Sequence, residues 1–246
     1  WMVYHGYENG YRTLGRQTLL EPIEWTDDGW FIAKGGDLSL PMPLPKRASV
    51  RTADASSDTP HGMALSDDFT QNKIGSQWSF HNPKDDEYER LKYLKKALRF
   101  NARGTSPIDS SPLTCVIPDR SYQVELTLKL EEAEAGILLF YNHKAFVGVG
   151  FTPKAIKSFQ YAEEQTWARQ HRDIDSVRVR LINRENVITY QYSFDGKHWQ
   201  THPTRMEVSG MHHHVFGGFL SLRIGIYCAG SGHSTLSDFS YQALGK

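Results

Sequence analysis

The stretch YQVELTLKL, residues 122–130, alternates without a fault. Tyr122, Val124, Leu126, Leu128 and Leu130 fall on one side of an extended chain, and Gln123, Glu125, Thr127 and Lys129 on the other. Successive side chains of a strand point to opposite faces, so a period of two predicts a half-buried strand. The device recurs in Val177, Val179 and Leu181, with Arg178 and Arg180 outward, and in Ile188, Tyr190, Tyr192 and Phe194. It recurs again in Leu220, Leu222, Ile224 and Ile226. Residues 137–141 and 145–151 are strand candidates joined by Asn142-His143-Lys144. Phe194-Asp195-Gly196-Lys197 carries the Asp-Gly hairpin signal, and Trp199 stands where the next strand should begin. Helix signals are few; polar residues 85–96 have room for a turn or two. Many antiparallel strands with one apolar face each predict an all-β fold, with two sheets packed face to face as a β-sandwich over residues 65–246.

Residues 1–31, WMVYHGYENGYRTLGRQTLLEPIEWTDDGWF, read differently. Residues 2–7 and 16–25 are β-prone and separated by a turn signal at Glu8-Asn9-Gly10. Pro22 marks the second run as an edge or bulge. Thr26-Asp27-Asp28-Gly29 is another turn, before a third strand from Trp30. The expectation is a three-stranded antiparallel meander over residues 1–36. A meander of that size is marginal alone and must pack on something. Residues 37–64 read as a linker, extended through the proline run 40–45 and without periodicity beyond it.

Composition narrows the function classes. The chain has 246 residues, zero formal net charge, 39% hydrophobic and 12% aromatic residues. There is no basic stripe to meet nucleic acid and no run apolar and long enough to span a bilayer. Cys115 and Cys228 both lie in apolar strand patterns and are expected as buried core residues rather than a metal or redox pair. A disulfide between them is not readable from sequence. No Ser/His/Asp or Cys/His nucleophile arrangement and no phosphate-cradling glycine loop stands out.

Two stretches carry a family resemblance. TLGRQTLLEPIEWTDDGWF, with YHG just before it, resembles the last blade of the five-bladed propeller of glycoside hydrolase family 43, which includes β-xylosidases and α-L-arabinofuranosidases. From Asp67-Asp68-Phe69 to Asp238-Phe239-Ser240-Tyr241, the chain resembles the concanavalin-A-like (jelly-roll) C-terminal β-sandwich of the same family. YSFDGKHW and FLSLRIGIYCAGSG carry that match between the two ends. The resemblance implies an inverting hydrolase acting on xylose- or arabinose-containing glycosides of plant cell walls. Its Asp base, its orienting Asp and its Glu acid lie on earlier blades, so none is assigned here. The chain alone is therefore expected to be inactive, with the missing propeller as partner and a homo-oligomer also possible. An extracellular or periplasmic setting is favoured over a cytoplasmic one.

The resemblance also implies site residues. The arginine matching Arg16 points into the sugar pocket, where a rigid donor fork suits oxygen recognition. His5, on the adjacent strand, is a second candidate for the propeller axis. The loop before the last long strand places an aromatic at the pocket rim, with Phe216 the best match by position and Phe219 next. The competing readings are a strand-end charge for Arg16, a structural histidine for His5 and sandwich packing for Phe216. No cofactor is required, but Asp68 and Asp238, with Asp67, are candidates for a structural calcium; the alternative is turn-forming aspartates. His212-His213-His214 reads as a polar loop, since neighbours on a strand cannot all face one metal. Glu131, Glu132 and Glu134, and Glu163 with Glu164, read as solvated clusters at strand ends. The second functional reading is a stand-alone carbohydrate-binding module, which requires a row of exposed aromatics among residues such as Trp78, Trp167 and Trp199.

Overall fold

The computed structural model describes residues 1–7, 10–37 and 64–245. Glu8 and Asn9 of the expected turn, and nearly all of the linker, lie outside the described residues. The faultless alternation at 122–130 is the first half of a longer strand, Ser121–Asn142. It runs antiparallel to the other long strand, Arg223–Ala243, from Tyr122 opposite Ala243 to Phe140 opposite Arg223. These two strands form the spine of the molecule, because each passes through both layers of a sandwich.

In the first layer, Ser176–Arg184 and then Val187–Ser193 flank the 121–130 half of the spine. Ala97–Asn101 and Leu91–Leu94 lie on its other side. In the second layer, Ala145–Thr152 and Ala155–Gln160 flank the second half, with Leu113–Val116 and Trp78–Phe80 opposite. The spine turns the corner between layers at residues 131–133 and 230–233. There Glu132, Gly230 and Gly232 adopt φ of 66°, 83° and 71°, and the register shifts at Gly230, His233 and Ser234. Bulges bend strands in this way. Gly232 has a further reason to be glycine, since a Cβ there would lie 2.1 Å from the Glu131 carbonyl oxygen.

The core lies between the layers. Val124, Leu126 and Leu128 from the first half of the spine join Ile137, Leu139 and Tyr141 from the second, with Val179, Leu181, Tyr190, Val149 and Ile224. The predicted alternation therefore points inward as expected. A second cluster, Leu138, Phe140, Phe146, Phe159, Tyr227 and Ala229, is buried on the other face of the second layer. Strands buried on both faces lose their alternation, which explains the unbroken apolar run 137–141. Cys115 and Cys228 are buried and free, and burial pushes both thiols up to about 12. The sandwich closes where the Asp67 N–H donates to the Phe239 carbonyl at 2.9 Å.

Residues 85–96 hold the expected turn as a single 3-10 turn, Glu87–Arg90, followed by a strand, Leu91–Leu94. Three expectations change. The N-terminal meander is two separate hairpins: Met2–Gly6 pairs with Gln17–Glu21, and Ile23–Trp25 pairs with Phe31–Ala33. Pro22 divides them because it has no N–H to offer a ladder. Glu134 is not solvated; it is buried at the corner, accepting from the Tyr227 hydroxyl at 2.8 Å and pairing with Lys157 at 2.5 Å. His213–Phe216, inside the expected polar loop, forms one α-helical turn.

Candidate functional site

The N-terminal segment does not hang free of the sandwich; residues 11–15 dock into it. Thr13 is buried, its hydroxyl donates to Asn186 Oδ1 at 2.8 Å, and its carbonyl accepts the Leu222 N–H at 2.8 Å. Leu14 is 7% exposed and joins the main core. Gly15 has φ 73°, and a Cβ there would sit 2.9 Å from Ser221 Cβ. These contacts fix the next residue, Arg16, beside the loop that leads into the last long strand.

That loop is built to present one aromatic ring. His212 Nδ1 accepts the His214 N–H and caps the turn His213–Phe216. Gly217, Gly218 and Phe219 follow with φ of 69°, 83° and 53°. Two glycines make the first steps cheap, whereas left-handed backbone at a phenylalanine must be held by its surroundings. The buried Tyr141 hydroxyl donates to the Gly217 carbonyl and accepts the Leu220 N–H at 3.4 Å. The Phe219 N–H donates to His213 Nδ1 at 3.1 Å, and the two rings stack at 3.9 Å. Burial pushes the Tyr141 phenol up and the His212 imidazole down.

Arg16 closes the arrangement. Its guanidinium carbon lies 4.4 Å from the Phe219 ring centroid and 5.5 Å from that of Tyr7. Tyr7 meets His214 edge-on at 5.5 Å. Phe219 nevertheless remains 70% exposed. A flat apolar ring can stack on the C–H face of a pyranose, and an adjacent donor fork can reach its oxygens.

Of the predicted residues, the structure brings Arg16 and Phe219 together. Phe216 points the other way, half-buried against Tyr141 at 6.1 Å and Tyr161 at 6.5 Å. His5 stands exposed on its strand, opposite Thr18. Tyr7, Tyr141, His213 and His214 went unpredicted. Gly217-Gly218 ahead of Phe219 was the available signal, since paired glycines permit the backbone that turns Phe219 outward.

The aspartates serve turns. Asp67 accepts the Phe69 N–H at 2.8 Å and the Trp78 indole N–H at 2.9 Å. Asp68 accepts from the Thr70 amide and hydroxyl, which hold its carboxyl below the usual range. Asp238 accepts from the Ser237 hydroxyl at 3.0 Å. All three line an open cleft of about 680 Å3 with Lys73 and Arg178. Among the described residues no group of three or more His, Cys, Asp or Glu is placed to hold a metal ion, and no helix is long and apolar enough to cross a membrane. Of the three tryptophans, Trp78 is buried, Trp199 is half-buried with the Arg180 guanidinium 3.9 Å from its ring centroid, and Trp167 is 74% exposed.

A two-layer β-sandwich with two N-terminal hairpins ahead of it defines a concanavalin-A-like architecture. The chain belongs to the β-xylosidase C-terminal concanavalin A-like domain family, whose profile matches residues 66–243. Residues 1–31 match the glycosyl hydrolases family 43 profile. A non-reducing end α-L-arabinofuranosidase of Bacteroides ovatus is 23% identical over 98% of this chain and 47% of its own length. An Escherichia coli K12 protein whose β-xylosidase name is provisional is 27% identical over 94% of this chain and 46% of its own. The chain thus spans about half the length of the curated relatives it matches. Among solved structures, the family 43 protein BlXynB of Bacillus licheniformis superposes with a TM-score of 0.77 at 21% identity, over 98% of this chain and 50% of that one. At these identities the superposition shows the fold.

Proposed function

We propose that this chain is the C-terminal region of a family 43 glycosidase that hydrolyses xylose- or arabinose-containing glycosides of plant cell walls. Its sandwich caps the sugar pocket of the propeller. The observation that carries this reading is the pairing of Arg16, from the family 43 segment, with Phe219, from the sandwich loop. Two profiles match consecutive parts of the chain, and one residue from each meets at an exposed ring. In this reading Arg16 donates to sugar oxygens and Phe219 covers a sugar face, keeping water from the bound ring. The acid and base that flank a scissile glycosidic bond would be supplied by sequence other than residues 1–246. The family likeness and the half-length coverage of the relatives support this division. The alternative, a stand-alone binding module, requires a row of exposed aromatics, and the positions of Trp78 and Trp199 do not favour it.

The test compares aryl β-xylosides and aryl α-L-arabinofuranosides as substrates for residues 1–246 and for the natural gene product. Turnover is expected from a natural product that extends upstream and none from residues 1–246. Turnover by residues 1–246 themselves, or inactivity of a longer product on both glycosides, would overturn the proposal.

A further inference from the structure

We infer that His213 is a proton-sensitive positioning residue, a latch whose neutral imidazole holds Phe219 in its outward, ring-exposed conformation. The inference rests on the reading of Phe219 as the sugar-facing ring, but it is argued from the loop's own geometry. Gly217, Gly218 and Phe219 all have left-handed backbone. Gly217 and Gly218 adopt it freely. For Phe219 it is disfavoured by the Cβ and persists only if neighbouring bonds impose it.

Those bonds can be named. Tyr141 fixes the loop on either side of Phe219 through the Gly217 carbonyl and the Leu220 N–H. Phe219's own N–H has one partner, His213 Nδ1, and the same imidazole stacks on the phenyl ring. An Nδ1 that accepts an N–H must be unprotonated, so this bond selects the neutral Nε2–H tautomer. Protonation puts a hydrogen on Nδ1. The acceptor is then lost, and two N–H donors face each other across 3.1 Å.

The latch is enclosed by rings and charges from two segments. Within the loop, His212 and His214 flank His213, and His214 lies 5.7 Å away ring to ring. From the N-terminal segment, Arg16 lies over the same Phe219 ring, Tyr7 packs on His214, and the Arg12 charge reaches His212. An imidazolium would stack on the same Phe219 ring that the Arg16 guanidinium already covers. The Gly217-Gly218 pair lets the loop respond without breaking the strand that follows. The outward pose of Phe219 should therefore be kept while the His213 imidazole is neutral and lost when it is protonated.

The test is nuclear magnetic resonance on the chain itself, with no substrate present. At about pH 8 the 15N–15N coupling across the hydrogen bond from the Phe219 amide to His213 Nδ1 should be observed, with slowed exchange of that amide. On acidification both should disappear together. His213→Ala should abolish both at every pH. His213→Asn, whose side-chain carbonyl accepts but does not titrate, should restore slowed exchange and remove its pH dependence. A neutral Nδ1–H tautomer, or amide exchange of Phe219 that is the same in His213→Ala as in the parent, would overturn the latch. The latch and the sugar reading are separable. If His213 behaves as expected but Phe219→Ala leaves the sugar affinity of the natural product unchanged, the functional reading fails and the latch stands.

Discussion

Arg16 and Phe219 lie near opposite ends of the chain, and the guanidinium of one sits 4.4 Å from the ring centroid of the other. Neither residue is placed by its own strand alone. Arg16 is delivered by the docking of residues 11–15, and Phe219 by the Tyr141 and His213 bonds to its loop. The candidate site is therefore a product of the junction between the two matched regions.

The docking can be weakened at one atom. Gly15→Ala forces a Cβ to within 2.9 Å of Ser221 Cβ at a backbone φ of 73°, which should cost about 1–3 kcal/mol. The cost should fall on the junction. Hydrogen exchange of the Leu222 amide, which bonds to the Thr13 carbonyl, should accelerate while the amides of 124–128 keep their protection. Equal acceleration at both sites would show that the segment is not a separate docking unit.

The corner of the spine gives a paired prediction. Gly230→Ala meets nothing within 4 Å and bears only its left-handed backbone, a cost of about 1–2 kcal/mol. Gly232→Ala has the same backbone handedness and also a Cβ 2.1 Å from the Glu131 carbonyl oxygen, so its cost should be about 3 kcal/mol or more. Urea denaturation midpoints of the two variants should rank in that order, and equal midpoints would contradict the proposed corner geometry.

Acid should destabilise the sandwich through the buried His202 and the half-buried His81. His202 is 1% exposed, and neither ring nitrogen has a hydrogen-bond partner among the described residues. Burial depresses its pKa. Burial, and then the Arg223 charge, lower that of His81 to about 4. The unfolded chain binds these protons more readily than the folded one. Stability is thus complete above the ordinary imidazole value near pH 6.5 and is lost as the pH falls toward the folded values. His202→Leu should flatten the decline of the denaturation midpoint as the pH falls below about 6.5. An unchanged slope would mean that the buried imidazole is protonated equally in both states.

The cysteines should be silent. Cys115 and Cys228 are fully buried with thiols pushed up to about 12, and the reactive species is the thiolate. A thiol reagent at about pH 8 should label neither in the native protein and both after denaturation. Native labelling would place them nearer the surface than the core described.

Sequence made the sandwich legible because its first layer has one wet face, and Tyr122 to Leu130 alternate as such a strand must. The continuation, Ala133 to Tyr141, lost its alternation to burial on both faces. Its length was hidden for the same reason, and Glu134 read as a surface charge because Tyr227 and Lys157 are distant in sequence. Arg16 could be singled out through the segment around it. That Phe219 rather than Phe216 would lie beside it was not legible, because this turns on backbone handedness and on Tyr141, which comes from another strand.

The central claim is that Arg16 and Phe219 act together on a sugar. It is tested most directly by a double-mutant cycle, with Arg16→Ala, Phe219→Ala and both, in the natural gene product turning over an aryl β-xyloside or aryl α-L-arabinofuranoside. Each single change should lower kcat/KM at least ~10-fold, about 1.4 kcal/mol of transition-state stabilisation. The double variant should lose less than the sum of the two, because the residues share one ligand face. Single variants that keep full kcat/KM, or strictly additive losses, would contradict a shared sugar site.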